Sequence, residues 1–142
     1  MDDNLRIILQ EQGKRAKKAS RLLATTSTTV KNRALNAMAD ALIEHKEDII
    51  AANAIDLEKG RAMGLTAALL ERLSLDEKRV ADMAQGLREI AALPDPVGEV
   101  LGMTRRPNGL EVGRVRTPIG VIGIIYESRP NVTADAAGLC LK

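Results

Sequence analysis

Pro118-Ile119-Gly120-Val121-Ile122-Gly123-Ile124-Ile125, running straight into Tyr126-Glu127-Ser128-Arg129-Pro130-Asn131-Val132-Thr133, is the stretch that decides the fold. Val121 to Ile125 is short, continuous and rich in β-branched residues, the pattern of a strand buried on both faces of a parallel sheet. From Asn131 or Thr133 the spacing turns helical through Ala134, Ala136, Ala137, Leu139 and Leu141. A parallel strand leading into a helix is half of a βαβ unit. No C-cap glycine, proline or returning strand follows before Lys142. A lone parallel strand has nothing to satisfy its backbone groups, so the expectation is an α/β chain that is truncated.

Upstream of Pro118, Val97–Thr104 and Leu110–Thr117 read as two strands around Pro107-Asn108-Gly109, since Asn-Gly is a strong hairpin signal. Before Pro96 the chain reads as helices. Leu5, Ile8, Leu9, Gln12, Ala16, Ala19 and Leu23 keep close to a 3.6-residue spacing, with acidic residues leading and lysines trailing as the helix dipole favours. A second helix carries Val30, Ala34, Ala37, Met38, Ala41 and Leu42 as its apolar face, capped from the Thr/Ser run Thr25–Thr29. A third passes through Ile49, Ile50, Ala54 and Leu57, with Gly60 and Gly64 as stop signals. Thr66 is placed to cap a short helix through Leu73, and Ser74-Leu75-Asp76-Glu77 fits a capping box for the next one. That helix buries Val80, Met83, Ala84, Leu87, Ile90 and Ala91 and ends at Pro94 and Pro96. Three parts follow: residues 1–96, helical; 97–117, a hairpin; and 118–142, the start of a parallel-sheet core.

Composition removes several function classes. Hydrophobic residues make up 45% and charged residues 28%, the balance of a globular chain and not a disordered one. The 21 basic and 19 acidic residues are well mixed and Tyr126 is the single aromatic, so neither a basic footprint nor a stacking platform for nucleic acid is present. The acidic start lacks the features of a secretory signal, and the apolar runs fall short of the ~20 residues of a membrane span. A single cysteine, Cys140, allows no internal disulfide and no multi-cysteine metal site. These features point to a cytoplasmic protein.

The chemistry concentrates in the loop after the buried-type strand. Open α/β sheets bind ligands at the carboxyl ends of their strands, beside helix N-termini that favour anions. Glu127, Ser128, Arg129, Asn131 and Thr133 supply a carboxylate, two hydroxyls, a guanidinium and an amide there, a set that suits a phosphorylated or carboxylated substrate and an oxyanion. The same residues also admit a plainer reading, in which Ser128, Asn131 or Thr133 caps the helix and Arg129 pairs with Glu127.

Gly120 to Thr133, with Asp135-Ala136-Ala137 and Leu139-Cys140-Leu141-Lys142, resembles the signature stretch of the gamma-glutamyl phosphate reductases. Asn53-Ala54-Ile55-Asp56-Leu57-Glu58-Lys59-Gly60, Gly64-Leu65-Thr66 and Leu70-Glu71-Arg72-Leu73 are similar to the helical region of the same family. The resemblance covers essentially the whole chain, and Tyr126 to Thr133 is its most specific part. It implies an aldehyde-dehydrogenase-like fold: an N-terminal helical layer, a β-hairpin of an oligomerising arm, and the first strand and helix of the cofactor-binding domain. It also implies a reaction, reduction of gamma-glutamyl phosphate by NADPH through a cysteine thioester to glutamate 5-semialdehyde and phosphate, in proline biosynthesis.

By the same resemblance Asn131 is the oxyanion donor, Ser128 and Arg129 contact the substrate, and Ile125, Tyr126 and Glu127 sit near the nicotinamide of NADPH/NADP. The family's nucleophilic cysteine and most of its cofactor site lie further along than Lys142, so the chain alone is expected to be inactive. A homo-oligomer and association with the glutamate kinase of the pathway are implied as partners. The loop departs from the Pro-Trp-Asn pattern usual in aldehyde dehydrogenases.

Cys140, among Ala137, Leu139 and Leu141, reads as a small packed core thiol and not as the nucleophile. His45, with no cysteine or second histidine near it, reads as a surface or capping residue. Gly113, Gly120 and Gly123 form no G-x-G-x-x-G fingerprint. Arg105, Arg106, Arg114 and Arg116 flank the hairpin as charged guards of its edges. Two other readings of the chain are a dehydrogenase of a different aldehyde or acyl phosphate, and a helical interaction module without chemistry, which would leave the Val121–Ile125 run exposed.

Overall fold

Apolar residues three and four apart make helices of most of the first 92 residues, and a computed structural model describes residues 3–127 and 129–142. The elements are α1 (Asp3–Leu23), α2 (Thr28–Glu44), α3 (Lys46–Ala62), α4 (Ala67–Leu73), α5 (Glu77–Ala92), β1 (Val100–Arg105), β2 (Glu111–Val115) and α6 (Asn131–Leu141). They fall into two units, one of residues up to Thr28 with Pro94–Gly123, the other of Thr29–Leu93 with Ile124–Lys142. Among the described residues no helix is long and apolar enough to cross a membrane.

The second unit is built round α5. All six residues of its expected stripe, Val80, Met83, Ala84, Leu87, Ile90 and Ala91, are buried. All of them except Val80 pack with Leu35 and Ala39 of α2 and Ala134 of α6, and Met38, Leu42, Leu75 and Leu141 close the rim. Leu35 and Leu87 are fully buried, each contributing about 1.5–3 kcal/mol of transfer free energy. The face of α2 differs from the expected one. Lys31, Leu35 and Ala39 are buried, whereas Val30, Ala37 and Ala41 are exposed. Two stripes at helical spacing coexist on α2, and contact with α5 selects the one containing Leu35.

The helix ends follow local chemistry with one change. Thr66 accepts from the amide of Leu69 and caps α4 as expected. Gly64, at φ +77°, ends α3, but Gly60 lies inside that helix and is buried. A Cβ at Gly60 would come within 3.0 Å of Leu65 and 3.1 Å of Leu70, so its bareness serves packing and not termination. The expected capping box is not formed. Asp76, in extended backbone, accepts from the amide of Arg79 at 2.7 Å and caps α5, while Ser74 closes α4 by donating to the Glu71 carbonyl at 2.9 Å. A charged acceptor facing the positive end of the helix dipole outcompetes the serine two residues earlier.

In the first unit β1 and β2 form an antiparallel hairpin with Arg105 opposite Glu111 and Val100 opposite Val115, and a register irregularity between Val100 and Gly102. Gly109 takes φ +87° in the turn, where the Leu110 amide donates to the Asn108 side chain. Every residue of both strands is exposed, and Arg116 pairs with Glu99 at 2.6 Å. α1 has no buried residue, and Leu5, Ile8 and Leu9 each leave about half their surface open.

The expected strand at Val121–Ile125 is not formed. The segment has no ladder partner among the described residues, Gly120 adopts φ +100°, and Ile125 is completely exposed. A parallel strand exists only by pairing along its edge, so the apolar pattern alone cannot make one. The helix that follows does form, beginning at Asn131.

Candidate active site

α6 is held by the close approach of its glycine to the core. A Cβ at Gly138 would lie 2.7 Å from Leu87 and 3.0 Å from Ile90. That contact presses the Ala134–Gly138 side of α6 onto α5 and so places the start of α6 beside the start of α5. Lys142, also buried, donates from its ammonium to Asn32 at 2.6 Å and to the Ala91 carbonyl at 2.9 Å.

The start of α6 carries the predicted chemistry. Pro130 occupies the cap position, which provides no side-chain cap. Asn131 donates its amide to Asp135 at 3.0 Å, and the hydroxyls of Tyr126 and Thr133 lie 2.7 Å apart. Neither Asn131 nor Thr133 spends its side chain as a helix cap, and Arg129 forms no ion pair with Glu127. Ser128 lies outside the described residues.

Arg129, Asn131 and Asp135 line an open cleft of ≈ 460 Å³, faced by Arg72 of α4 and by Arg79 and Asp82 of α5. Its size lies within the range of small-molecule sites. The facing wall is rigid for a reason the sequence reading passed over. Asn53, buried in α3, donates to the Leu73 carbonyl and accepts from the Leu75 amide, both at 2.8 Å. Arg79 donates to the Glu71 carbonyl at 2.6 Å, the Ser74 carbonyl at 2.7 Å and the Ser74 hydroxyl at 2.9 Å. The available signal was a polar residue, Asn53, on the stripe of Ile49, Ile50 and Leu57, where a buried amide needs partners.

Three other candidates stand differently. Ile125, Tyr126 and Glu127 lie in the exposed segment before α6 and are not among the residues lining the cleft. Cys140, expected in the core, is exposed. At ~100° per residue it points ~200° away from Gly138, the contact point of α6, and it lies ~13 Å along the helix from Asn131. His45 is an exposed residue, its ring 3.7 Å from Asp48, with no capping bond.

No family model matches the chain. Curated relatives do. The chain is 76% identical over all its 142 residues to the gamma-glutamyl phosphate reductase of Syntrophomonas wolfei and 63% identical over 139 residues to that of Moorella thermoacetica. It covers 34% and 33% of those proteins, so it spans about a third of the length of the relatives it matches. Crystal structures of gamma-glutamyl phosphate reductases from Thermotoga maritima and Saccharomyces cerevisiae superpose with TM-scores of 0.90 and 0.88, at 44% and 37% identity, over 94% and 93% of this chain. In sequence and in fold, the chain belongs to the gamma-glutamyl phosphate reductases and corresponds to their N-terminal part.

Proposed function

We propose that the protein to which this chain belongs reduces gamma-glutamyl phosphate to glutamate 5-semialdehyde with NADPH, releasing phosphate, in the cytoplasmic synthesis of proline. The observation that carries this reading is the opening of Arg129 and Asn131 into one cleft, in a chain that matches reductases of that name from end to end.

In this reading a cysteine thiolate, supplied by sequence not contained here, displaces phosphate from the acyl carbon and forms a thioester. NADPH, when bound, supplies the hydride. The carbonyl oxygen gains negative charge during reduction, and the Asn131 amide donates a hydrogen bond to it; one of its two N–H groups serves Asp135 and the other is available. Collapse of that oxyanion releases the aldehyde and returns the thiolate. Asp135 thereby orients the amide, and Ser128 and Arg129 hold an anionic group of the substrate.

The exposed Ile125–Glu127 segment suits one face of a flat nicotinamide ring, offering an apolar side chain next to an aromatic one. We further propose that residues 1–96 and 118–142 belong to the cofactor-binding domain, with Val121–Ile125 as its first strand, and that 97–117 is part of an arm joining subunits of a homo-oligomer, which would cover the exposed hairpin. Association with the pathway's glutamate kinase belongs to the same reading.

The test is phosphate-dependent reduction of NADP⁺ by glutamate 5-semialdehyde, the reverse reaction, in the complete enzyme. Asn131→Ala is expected to lower kcat by about 10²–10³-fold while the protein stays folded. Full activity in that variant would remove Asn131 from the oxyanion role, and absence of turnover in the unaltered enzyme would overturn the assignment.

A further inference from the structure

The cleft holds more charge than an acyl phosphate needs at its reacting end. Arg79 is committed to the Glu71–Ser74 turn. Arg72 and Arg129, in contrast, form no ion pair with a carboxylate among the described residues. Besides Glu71, which meets Arg79 at 3.5 Å, two carboxylates share the cleft with them. Among the described residues Asp82 meets only Lys78, at 3.0 Å and well exposed, and Asp135 meets Asn131 through one oxygen. The other oxygen of Asp135 lies over the bare backbone of Gly86, 3.8 Å from where a Cβ would stand, one helical turn beyond Asp82. The two acids therefore line the same stretch of α5, opposite in sign to the guanidiniums beside them.

We propose that this cleft seats an α-amino-acid head group, Arg72 and Arg129 taking the carboxylate and Asp82 and Asp135 the ammonium. The inference rests on the function proposed above and adds to it the basis of substrate choice. In a glutamyl chain the reacting carbonyl and the α-carbon are three C–C bonds apart, a span of about 4 Å. An acyl group at Asn131 thus leaves its head within the same cleft, facing α4 and α5. A binder of simple anions gains nothing from two carboxylates, and a binder of simple aldehydes gains nothing from either pair. A zwitterion uses both.

The experiment measures selectivity within each variant of the complete enzyme, so that a loss of folded protein cancels. Aldehyde oxidation with NADP⁺ and phosphate is followed for glutamate 5-semialdehyde, for 5-oxopentanoate, which lacks the amino group, and for pentanal, which lacks both charges. The unaltered enzyme should prefer the three in that order by kcat/KM. Asp82→Asn should reduce the first preference, amino over des-amino, by at least about tenfold, and Asp82→Glu should restore part of it. Arg72→Gln should reduce the second preference, 5-oxopentanoate over pentanal, by a similar factor. Preferences that survive both substitutions, or an unaltered enzyme that turns over the semialdehyde without favouring it, would overturn the head-group site and leave the reductase reading standing. No turnover of the semialdehyde at all would overturn both.

Discussion

At Gly138 a missing methyl group sets how closely α6 approaches α5. Glycine is disfavoured in helices by roughly 1 kcal/mol relative to alanine, yet Gly138→Ala would drive its methyl to 2.7 Å from Leu87, a fully buried side chain. Overpacking outweighs propensity here, and the variant is expected to lose about 1–3 kcal/mol in urea unfolding. An unchanged midpoint would mean that the two helices can separate without cost. Cys140, two residues on, faces outward, so its thiol should react with maleimide in the native chain as readily as after denaturation. Protection of the native thiol would contradict the orientation of α6.

Among the elements, the turn joining α4 to α5 is the one most heavily fixed by side chains, and it forms a wall of the cleft. Asn53→Ala would leave the Leu73 carbonyl and the Leu75 amide without their partner, at a cost of about 1–3 kcal/mol for each group that stays buried. In the complete enzyme the same change should raise KM for the semialdehyde more than it lowers kcat, because it loosens a wall and not the reacting atoms. A fall in kcat alone would argue that the wall is not part of substrate binding. Asp76→Ala removes the cap of α5 and should cost about 1 kcal/mol. Lys46 of α3 donates to Glu77 at the start of α5 at 2.8 Å, and this bond raises the lysine pKa above its ordinary 10.5. A raised lysine stabilises fully below its unfolded value and loses the effect as pH climbs through the folded one. Thermal unfolding should therefore show this pair's contribution complete and independent of pH near neutrality, with a decline only in strong alkali.

For the whole molecule, the deciding fact is the apolar surface left open. Ile119, Val121, Ile122, Ile124 and Ile125, both strands of the hairpin and the Leu5–Leu9 side of α1 are exposed in a chain that spans about a third of its relatives. A run of five residues with the pattern of a doubly covered strand remains coil because no described segment pairs along its edge. The 142-residue chain by itself should oxidise no NADPH with an acyl phosphate, as followed by absorbance. Measurable turnover would place the reactive thiol within it and reverse the reading of Cys140.

The sequence by itself determined the helices, the hairpin turn, the buried stripe of α5 and the polar cluster at the start of α6, because each depends on residues within a turn or two of one another. Three-dimensional packing decided the rest. Which stripe of α2 is buried depends on α5; whether Asp76 or Ser74 caps depends on the backbone path between two helices. Gly60 and Gly138 became packing sites only when a neighbour approached them. The mixed charges of Arg72, Asp82, Arg129 and Asp135 became one cleft because α4, α5 and α6 converge there, a meeting of residues more than forty positions apart that no local pattern records.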